Sequence, residues 1–156
     1  LEEIFKEAKV LIKYFCGSYR RKAKLIADID ILLIYPRDKE SVEKILFEDS
    51  MFTCMCSGYT KSSWRYESDS KLAVDINIGD SKCVPFELLH HTGSVATNIK
   101  MRAEAKRQGY LLNQYGIFPI DKNNLEATKR LEDFEFNLES DIFKFLGLPY
   151  LKPEDR

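Results

Sequence analysis

The first half of the chain alternates between helical and strand-like patterns of apolar positions. Apolar residues at three- and four-residue spacing predict helices, and short apolar or alternating runs between polar turns predict strands. The predicted helices cover residues 1–13 and 39–47, and the predicted strands cover residues 14–16, 28–35, 51–60, 62–67 and 72–78. A basic helical turn is predicted after Gly17. This order predicts an α+β fold, with a mixed sheet that carries helices on one face.

The pattern changes near residue 82, where helices are predicted to dominate. Helical spacing covers residues 85–91, 94–108 and 138–146, and a small hairpin is predicted from residues 110–112 and 117–118. Ser94 is a suitable cap for the second of these helices, and Gly109 ends it. We therefore predict two subdomains, residues 1–81 and residues 82–156, of which the second is a small α+β unit.

Three aspartates lie on predicted strands of the first subdomain. Asp28 and Asp30 are two residues apart, so their side chains share one face of a strand, and Asp75 has the same outward polarity on another strand. Carboxylates brought together in this way repel one another unless cations lie between them. Such oxygen ligands suit two Mg²⁺ ions, with Mn²⁺ as a substitute, and two ions can stabilise a phosphoryl transfer. The alternative is three ordinary solvent-facing acids on a half-exposed sheet.

A second feature lies about ten residues before the first aspartate pair. Gly17 allows close approach of a ligand, and Ser18 begins a helical turn whose free N–H groups attract phosphate. Arg20 and Arg21 add guanidinium groups that suit phosphate oxygens. The combination of this turn with the aspartates indicates a nucleotidyltransferase.

Composition limits the class of protein. The chain has 156 residues, 44% of them hydrophobic and 31% charged, which predicts a soluble globular protein rather than a disordered one. No apolar run reaches the roughly 20 residues of a membrane span, and the start shows no signal-peptide pattern. We therefore expect an intracellular protein, not a secreted one. Because Leu1 is not Met, we also expect residues upstream.

The cysteines and the basic segments leave alternatives open. Reduced thiols are the expectation inside a cell, Cys54 and Cys56 lack the spacing of a zinc site, and a disulfide of Cys83 stays open. The net charge is −1, but residues 19–24 and 99–107 are locally basic. Such segments either track phosphates or form ordinary solvated helix faces.

Seven segments in order resemble DNA polymerase family X, the polymerase beta group. They are residues 16–21, 27–33, 74–76, 91–94, 98–103, 112–116 and 141–156. The resemblance covers nearly the whole chain, and it implies a catalytic palm (residues 1–81) followed by a nascent-base-pair-binding subdomain (residues 82–156) that closes over the nucleotide. It also implies that Asp28 and Asp30 bind both metal ions and that Asp75 binds the catalytic one.

The resemblance further implies roles for residues that bind nucleotide and DNA. Implied nucleotide-binding residues are Gly17, Ser18, Arg21, His90, His91, Gly93 and Asn98, with Ser18 and Arg21 on the β and γ phosphates. Implied DNA-binding residues are Lys100, Arg102, Lys106, Arg107 and Asn113. The Gly93–Ser94 peptide bond is implied to be cis. Asn98 would reach the incoming base, and Arg102 the template strand.

Several positions depart from the family pattern. His90 and His91 replace the usual Tyr-Phe pair beside the sugar, which leaves sugar selectivity open. Ala73 stands where many members have Arg, so we expect Asp75 to lose the tuning neighbour that other members have at this position. No segment resembles the N-terminal lyase domain, which implies either a longer protein or a reduced, viral-type member.

The resulting expectation is a monomeric, template-directed DNA polymerase of base excision repair, located in the nucleus or at a viral replication site. It would fill short gaps in nicked or gapped double-stranded DNA by two-metal transfer from dNTP to a primer 3′-OH. Two alternatives stay open. One is a nucleotidyltransferase with another acceptor, such as RNA, a protein or a small molecule, and the other is a non-catalytic module that binds DNA ends.

Overall fold

The computed structural model describes residues 1–68 and 72–156, which divide into two units, Leu1–Ser81 and Lys82–Arg156. The first unit contains three helices and one five-stranded sheet. The helices are α1 (Glu2–Glu7), α2 (Gly17–Arg20) and α3 (Pro36–Glu48). The strands are β1 (Lys13–Phe15), β2 (Asp28–Leu33), β3 (Phe52–Ser57), β4 (Lys61–Tyr66) and β5 (Ala73–Ile78). The strand order is β1-β2-β5-β4-β3.

The sheet is mixed because β2 and β5 run parallel while the other neighbouring strands run antiparallel. One face packs against α1 and α3, which bury Phe5, Val42 and Leu46 against residues of the strands such as Ile31 and Ile76. Burying large aliphatic and aromatic side chains in this way contributes about 1.5–3 kcal/mol each. The predicted α+β fold, a mixed sheet with helices on one face, is confirmed.

Two helix boundaries differ from the sequence prediction. The predicted helix over residues 1–13 is wrong in its second half, because α1 ends at Glu7 and Lys9 adopts a left-handed backbone with φ 54°. Leu11 is 75% exposed, so its apolar spacing does not mark a buried face. Pro36 does not simply end a strand but begins α3, where its fixed φ suits the first helical turn.

The second unit contains three α-helices, a hairpin and a short 3₁₀ helix. These are α4 (Val84–Thr92), α5 (Val95–Arg107), β6 (Tyr110–Asn113), β7 (Gly116–Pro119), α6 (Glu139–Phe145) and the 3₁₀ helix Pro153–Asp155. Its core joins Phe86 of α4, Met101 of α5, Ile117 of β7 and Phe143 of α6. The predicted hairpin is confirmed, with Asn113 opposite Gly116.

The start of α5 is fixed by Ser94. Its hydroxyl accepts a hydrogen bond from the Thr97 backbone N–H at 3.3 Å, which caps the helix as predicted. The preceding Gly93–Ser94 peptide bond is cis, also as predicted. Asn98 and Arg102 are four residues apart and therefore lie on one face of α5.

The cysteines and the helix lengths bear on two further expectations. Cys16, Cys54, Cys56 and Cys83 are all free thiols. Cys83 is buried, and its thiol donates to the Tyr115 carbonyl at 3.3 Å, so it has no disulfide. Within residues 1–68 and 72–156, every helix is too short or too polar to cross a membrane.

Candidate active site

The parallel pairing of β2 and β5 brings the three aspartates to one face of the sheet. Asp30 lies directly opposite Asp75, and Asp28 lies opposite Ala73. Neighbouring strands are about 4.8 Å apart, so the side chains of Asp30 and Asp75 start from adjacent positions on the two backbones. Asp28 is exposed, while Asp30 and Asp75 are half-buried. The arrangement offers oxygen ligands from two strands at one edge of the open face.

Asp75 is held by β4 rather than turned toward the other two aspartates. Lys61 donates to Asp75 Oδ2 at 2.7 Å, and Ser63 donates to Asp75 Oδ1 at 2.6 Å. Both carboxylate oxygens therefore have a donor from the neighbouring strand. Among the described residues, no three His, Cys, Asp or Glu side chains are assembled as a metal-binding group. The backbone register thus brings the three aspartates to one face, while hydrogen bonds from β4 hold the carboxylate of Asp75.

The approach of Asp30 explains the glycine before the short helix. Gly17 has a left-handed backbone with φ 55°, and a Cβ at this position would overlap Asp30 Oδ2. The Cys16 backbone N–H donates to the Asp30 carbonyl at 2.7 Å, which fixes the two segments side by side. Glycine is therefore required here by both conformation and space.

The residues after Gly17 provide polar groups next to this carboxylate. The Ser18 hydroxyl is buried and makes no hydrogen bond within the described part of the chain. A buried hydroxyl in this condition is unfavourable unless a ligand or water satisfies it. Arg20 ends α2 and Arg21 caps it, and both side chains are half-buried. This set could bind an anion such as a phosphate beside Asp30.

A second group of predicted residues lies in the second unit, where it surrounds a cleft. His90, Asn98, Arg102 and Asn113 line this cleft. Asn98 Nδ2 donates to the His90 carbonyl at 2.8 Å, and Arg102 Nη2 donates to His90 Nδ1 at 2.9 Å. The two α5 residues implied to bind the incoming base and the template are therefore both anchored on His90.

The environment of His90 favours its neutral form. Its pKa is lowered from the ordinary value, mainly by burial and then by the charges of His91 and Arg102, while Glu87 opposes the shift. Because a guanidinium can only donate, His90 Nδ1 accepts, which assigns the ring proton to Nε2. His91 contacts Glu87 Oε2 at 3.3 Å, and the two imidazole rings meet edge to face.

The basic residues of α5 differ in what they contact. Lys100 and Lys106 are exposed, as is Arg107. Arg107 forms two hydrogen bonds to Glu104, at 2.9 Å from Nε and 2.6 Å from Nη2. These bonds and one from Gln108 lower the pKa of Glu104 to about 2. Arg107 is therefore paired with Glu104, whereas helical spacing puts Lys106 on the same side as Asn98 and Arg102.

Lys61 and Ser63 are site residues that the sequence patterns did not predict. They precede Asp75 by 14 and 12 residues and reach it across the β4–β5 pairing, with Ser63 directly opposite Asp75. Ala73 supplies no cation beside Asp75, but Lys61 gives this aspartate a basic neighbour from β4. A hairpin register derived from the sequence would have indicated the contact.

Comparisons with known proteins address the identity of this site. A family model described as the DNA polymerase beta thumb matches residues 87–156. The repair DNA polymerase X of African swine fever virus (isolate Tick/South Africa/Pretoriuskop Pr4/1996) is 31% identical over 147 residues, which cover 90% of this chain and 78% of that protein. The chain belongs to DNA polymerase family X. The resemblance based on the seven segments is thus confirmed.

Two further family X relatives agree. The DNA polymerase/3′-5′ exonuclease PolX of Bacillus subtilis (strain 168) is 28% identical over 157 residues. That match covers 100% of this chain, which spans only about a quarter of the bacterial protein (26%). The crystal structure of Leishmania infantum polymerase beta, a ternary P/T complex, matches with a TM-score of 0.82 and 28% identity. It covers 99% of this chain and 72% of that chain.

Proposed function

We propose that this family X protein is a template-directed DNA polymerase of the repair type that fills short gaps. The observation that carries the proposal is the register of β2 and β5, with Asp30 opposite Asp75 and Asp28 on the same face. The names of the relatives, repair DNA polymerase X and polymerase beta, support the same activity. The reaction would join the α-phosphate of a dNTP to the primer 3′-OH and release pyrophosphate.

The donor set fits divalent metal ions, on which family X polymerases generally depend. Asp28, Asp30 and Asp75 are hard oxygen ligands on one face of two adjacent strands. Asp28 and Asp30 would hold two Mg²⁺ ions, or Mn²⁺ in their place, and Asp75 would hold one of them. When bound, the ions would neutralise charge on the phosphates and lower the pKa of the primer hydroxyl.

The other residues of the first unit would bind the triphosphate. The buried Ser18 hydroxyl, which has no other partner within the described residues, would donate to a phosphate oxygen. Arg21 would add a charge-assisted hydrogen bond from its guanidinium. Gly17 would keep this segment close enough to Asp30 for phosphate and carboxylate to share the same ions.

The residues of the second unit would bind the base pair and the DNA. Asn98 would reach the base of the incoming nucleotide, and Arg102 the template strand, each oriented by its hydrogen bond to His90. Lys100 and Lys106 would contact phosphates of the DNA. Such contacts contribute an affinity that does not depend on the DNA sequence and falls with salt concentration. Asn113 lines the same cleft as His90 and would border the base pair.

The test is primer extension on a duplex with a one-nucleotide gap, with each dNTP and Mg²⁺. The wild type should add the complementary nucleotide, and Asp75→Asn should reduce the rate at least about a hundredfold because it removes a charged metal ligand. Asp133→Asn, a change at an exposed aspartate of the second unit, is the matched control and should extend normally.

Other outcomes would identify the alternatives. Gap binding without extension by the folded wild type would indicate a non-catalytic module that binds DNA ends. Nucleotide transfer to RNA, protein or a small molecule, with no extension of the DNA primer, would indicate another acceptor. Extension by Asp75→Asn at the wild-type rate would contradict the proposed metal site.

A further inference from the structure

We propose that Lys61 is a latch that holds Asp75 away from divalent cations in the DNA-free protein. The latch consists of the Lys61 Nζ–Asp75 Oδ2 ion pair at 2.7 Å and the Ser63 Oγ–Asp75 Oδ1 hydrogen bond at 2.6 Å. This inference rests on the proposed function, in which Asp75 is a metal ligand. It adds a positioning residue on β4 that controls when this ligand is available.

The geometry of the sheet favours a specific contact over a general charge effect. Ser63 lies opposite Asp75 on β4, and Lys61 and Arg65 lie two residues away on either side of Ser63. All three therefore share the open face with Asp75. Lys61 forms the ion pair, while Arg65, opposite Ala73, is exposed. Lys61 and Arg65 are thus equally far from Ser63 along β4, and Lys61 is the one that pairs with Asp75.

The latch competes directly with a metal ion for the same oxygen. The Asp75 side chain is 23% exposed and that of Lys61 is 52% exposed, so solvent screens their pairing in part but less than it would screen a fully exposed pair. A cation that binds Oδ2 must displace the ammonium group, while Ser63 still holds Oδ1 and limits how far the carboxylate turns. Lys61 therefore weakens cation binding at Asp75, and its release makes the third ligand available.

The experiment measures Mn²⁺ binding to the DNA-free protein by electron paramagnetic resonance, which does not depend on polymerase activity. Lys61→Met removes the ammonium group and keeps most of the side-chain volume. It should tighten Mn²⁺ binding about three- to tenfold, the range for loss of a partly exposed charged hydrogen bond. Lys61→Arg keeps a charged donor and should bind Mn²⁺ with the wild-type affinity. Fluorescence of the buried Trp64 verifies that each variant is folded.

Two controls separate the latch from long-range electrostatics. Arg65→Met removes the same charge from the same strand and face, so it should tighten binding by less than half of the Lys61→Met effect. In an Asp75→Asn background, Lys61→Met should have no further effect, because the latch has lost its carboxylate. A double-mutant cycle of these two changes measures the coupling directly.

The outcomes distinguish failure of the latch from failure of the proposed function. If Asp75→Asn weakens Mn²⁺ binding but Lys61→Met leaves it unchanged, the metal site stands and the latch is overturned. If Lys61→Met and Arg65→Met have equal effects that persist without the Asp75 carboxylate, the effect is general charge, and the latch is again overturned. If Asp75→Asn leaves the Mn²⁺ affinity of the Lys61→Met variant unchanged, Asp75 is not a ligand even without the latch, and both proposals fail.

Discussion

Gly17→Ala tests the closest approach in the candidate site. An alanine here must adopt a left-handed backbone, φ 55°, which costs a residue with a side chain roughly 1–2 kcal/mol. Its Cβ would also overlap the carboxylate of Asp30, a partner that is half-buried and has limited room to move. Relieving such an overlap typically costs a further 1–3 kcal/mol. We therefore expect a loss of about 2–5 kcal/mol in the free energy of unfolding.

Gly17→Ala should also lower the extension rate of the protein that remains folded, beyond what the loss of stability explains. Displacing Asp30 moves a proposed metal ligand, so gap-filling extension should fall at least about a hundredfold even where the protein is fully folded. The assay combines urea unfolding, followed by the fluorescence of Trp64, the single tryptophan of the chain, with primer extension at a temperature well below the transition. Trp64 lies in the core of the unit that contains Gly17.

Gly147→Ala is the matched control. Gly147 also has a left-handed backbone, φ 70°, but a Cβ there would meet nothing within 4 Å. Gly147→Ala should lose only the about 1–2 kcal/mol of unfolding free energy that the left-handed backbone costs, measured by circular dichroism. Its extension rate should not change. If Gly17→Ala loses no more stability than this control and extends primers normally, the reasoning about Asp30 is refuted.

Three further predictions concern nucleotide and DNA. Arg21→Ala should raise the KM for dNTP roughly ten- to hundredfold, because it removes one charged hydrogen bond to phosphate. If steady-state kinetics show a change in DNA affinity alone, Arg21 does not bind the nucleotide. Lys106→Ala should reduce the slope of log affinity against log salt concentration by about 0.9, the contribution of one phosphate contact. Arg107→Ala should reduce this slope less, because Arg107 already pairs with Glu104. His90 should stay neutral above about pH 6.5, since its pKa is lowered. As pH falls through the lowered value, protonation would put a donor against Arg102, so wild-type dNTP affinity and dNTP/rNTP selectivity should change there and those of His90→Tyr should not.

The sequence was sufficient for features that depend on local patterns. Alternation along residues 28–31 and 73–76 agrees with the observed burial, but Leu32 and Asn77, which the same alternation puts on the open face, are also buried. Ser94 and Gly109 marked the two ends of α5. These signals are strong because burial and capping act on neighbouring residues. The helix over residues 1–13 failed for the opposite reason: Leu11 kept the helical spacing, but the chain turns at Lys9, and propensity does not predict that turn.

The contacts of Asp75 and His90 that the sequence did not predict join different elements of the fold. The partners of Asp75 come from another strand, and the partner of His90 is Arg102, 12 residues away on the next helix. A motif shows which residue types are present but not which donors each one receives. The pairing of Arg107 with Glu104 is different, because the two residues are three apart on one helix and their spacing alone indicates the contact.

The position of Asp75 depends on the core beneath it. Val74 and Ile76 flank Asp75 on β5, and Val74 lies between Ile29 of β2 and Trp64 of β4 on the helix-covered face. A slip of β5 by one residue would expose these apolar side chains and turn the carboxylate into the core. Burying an unpaired carboxylate costs far more than any contact at the site returns. The hydrophobic residues of β5 therefore fix the register, and the register determines that Asp75 lies opposite Asp30 on the open side of the sheet.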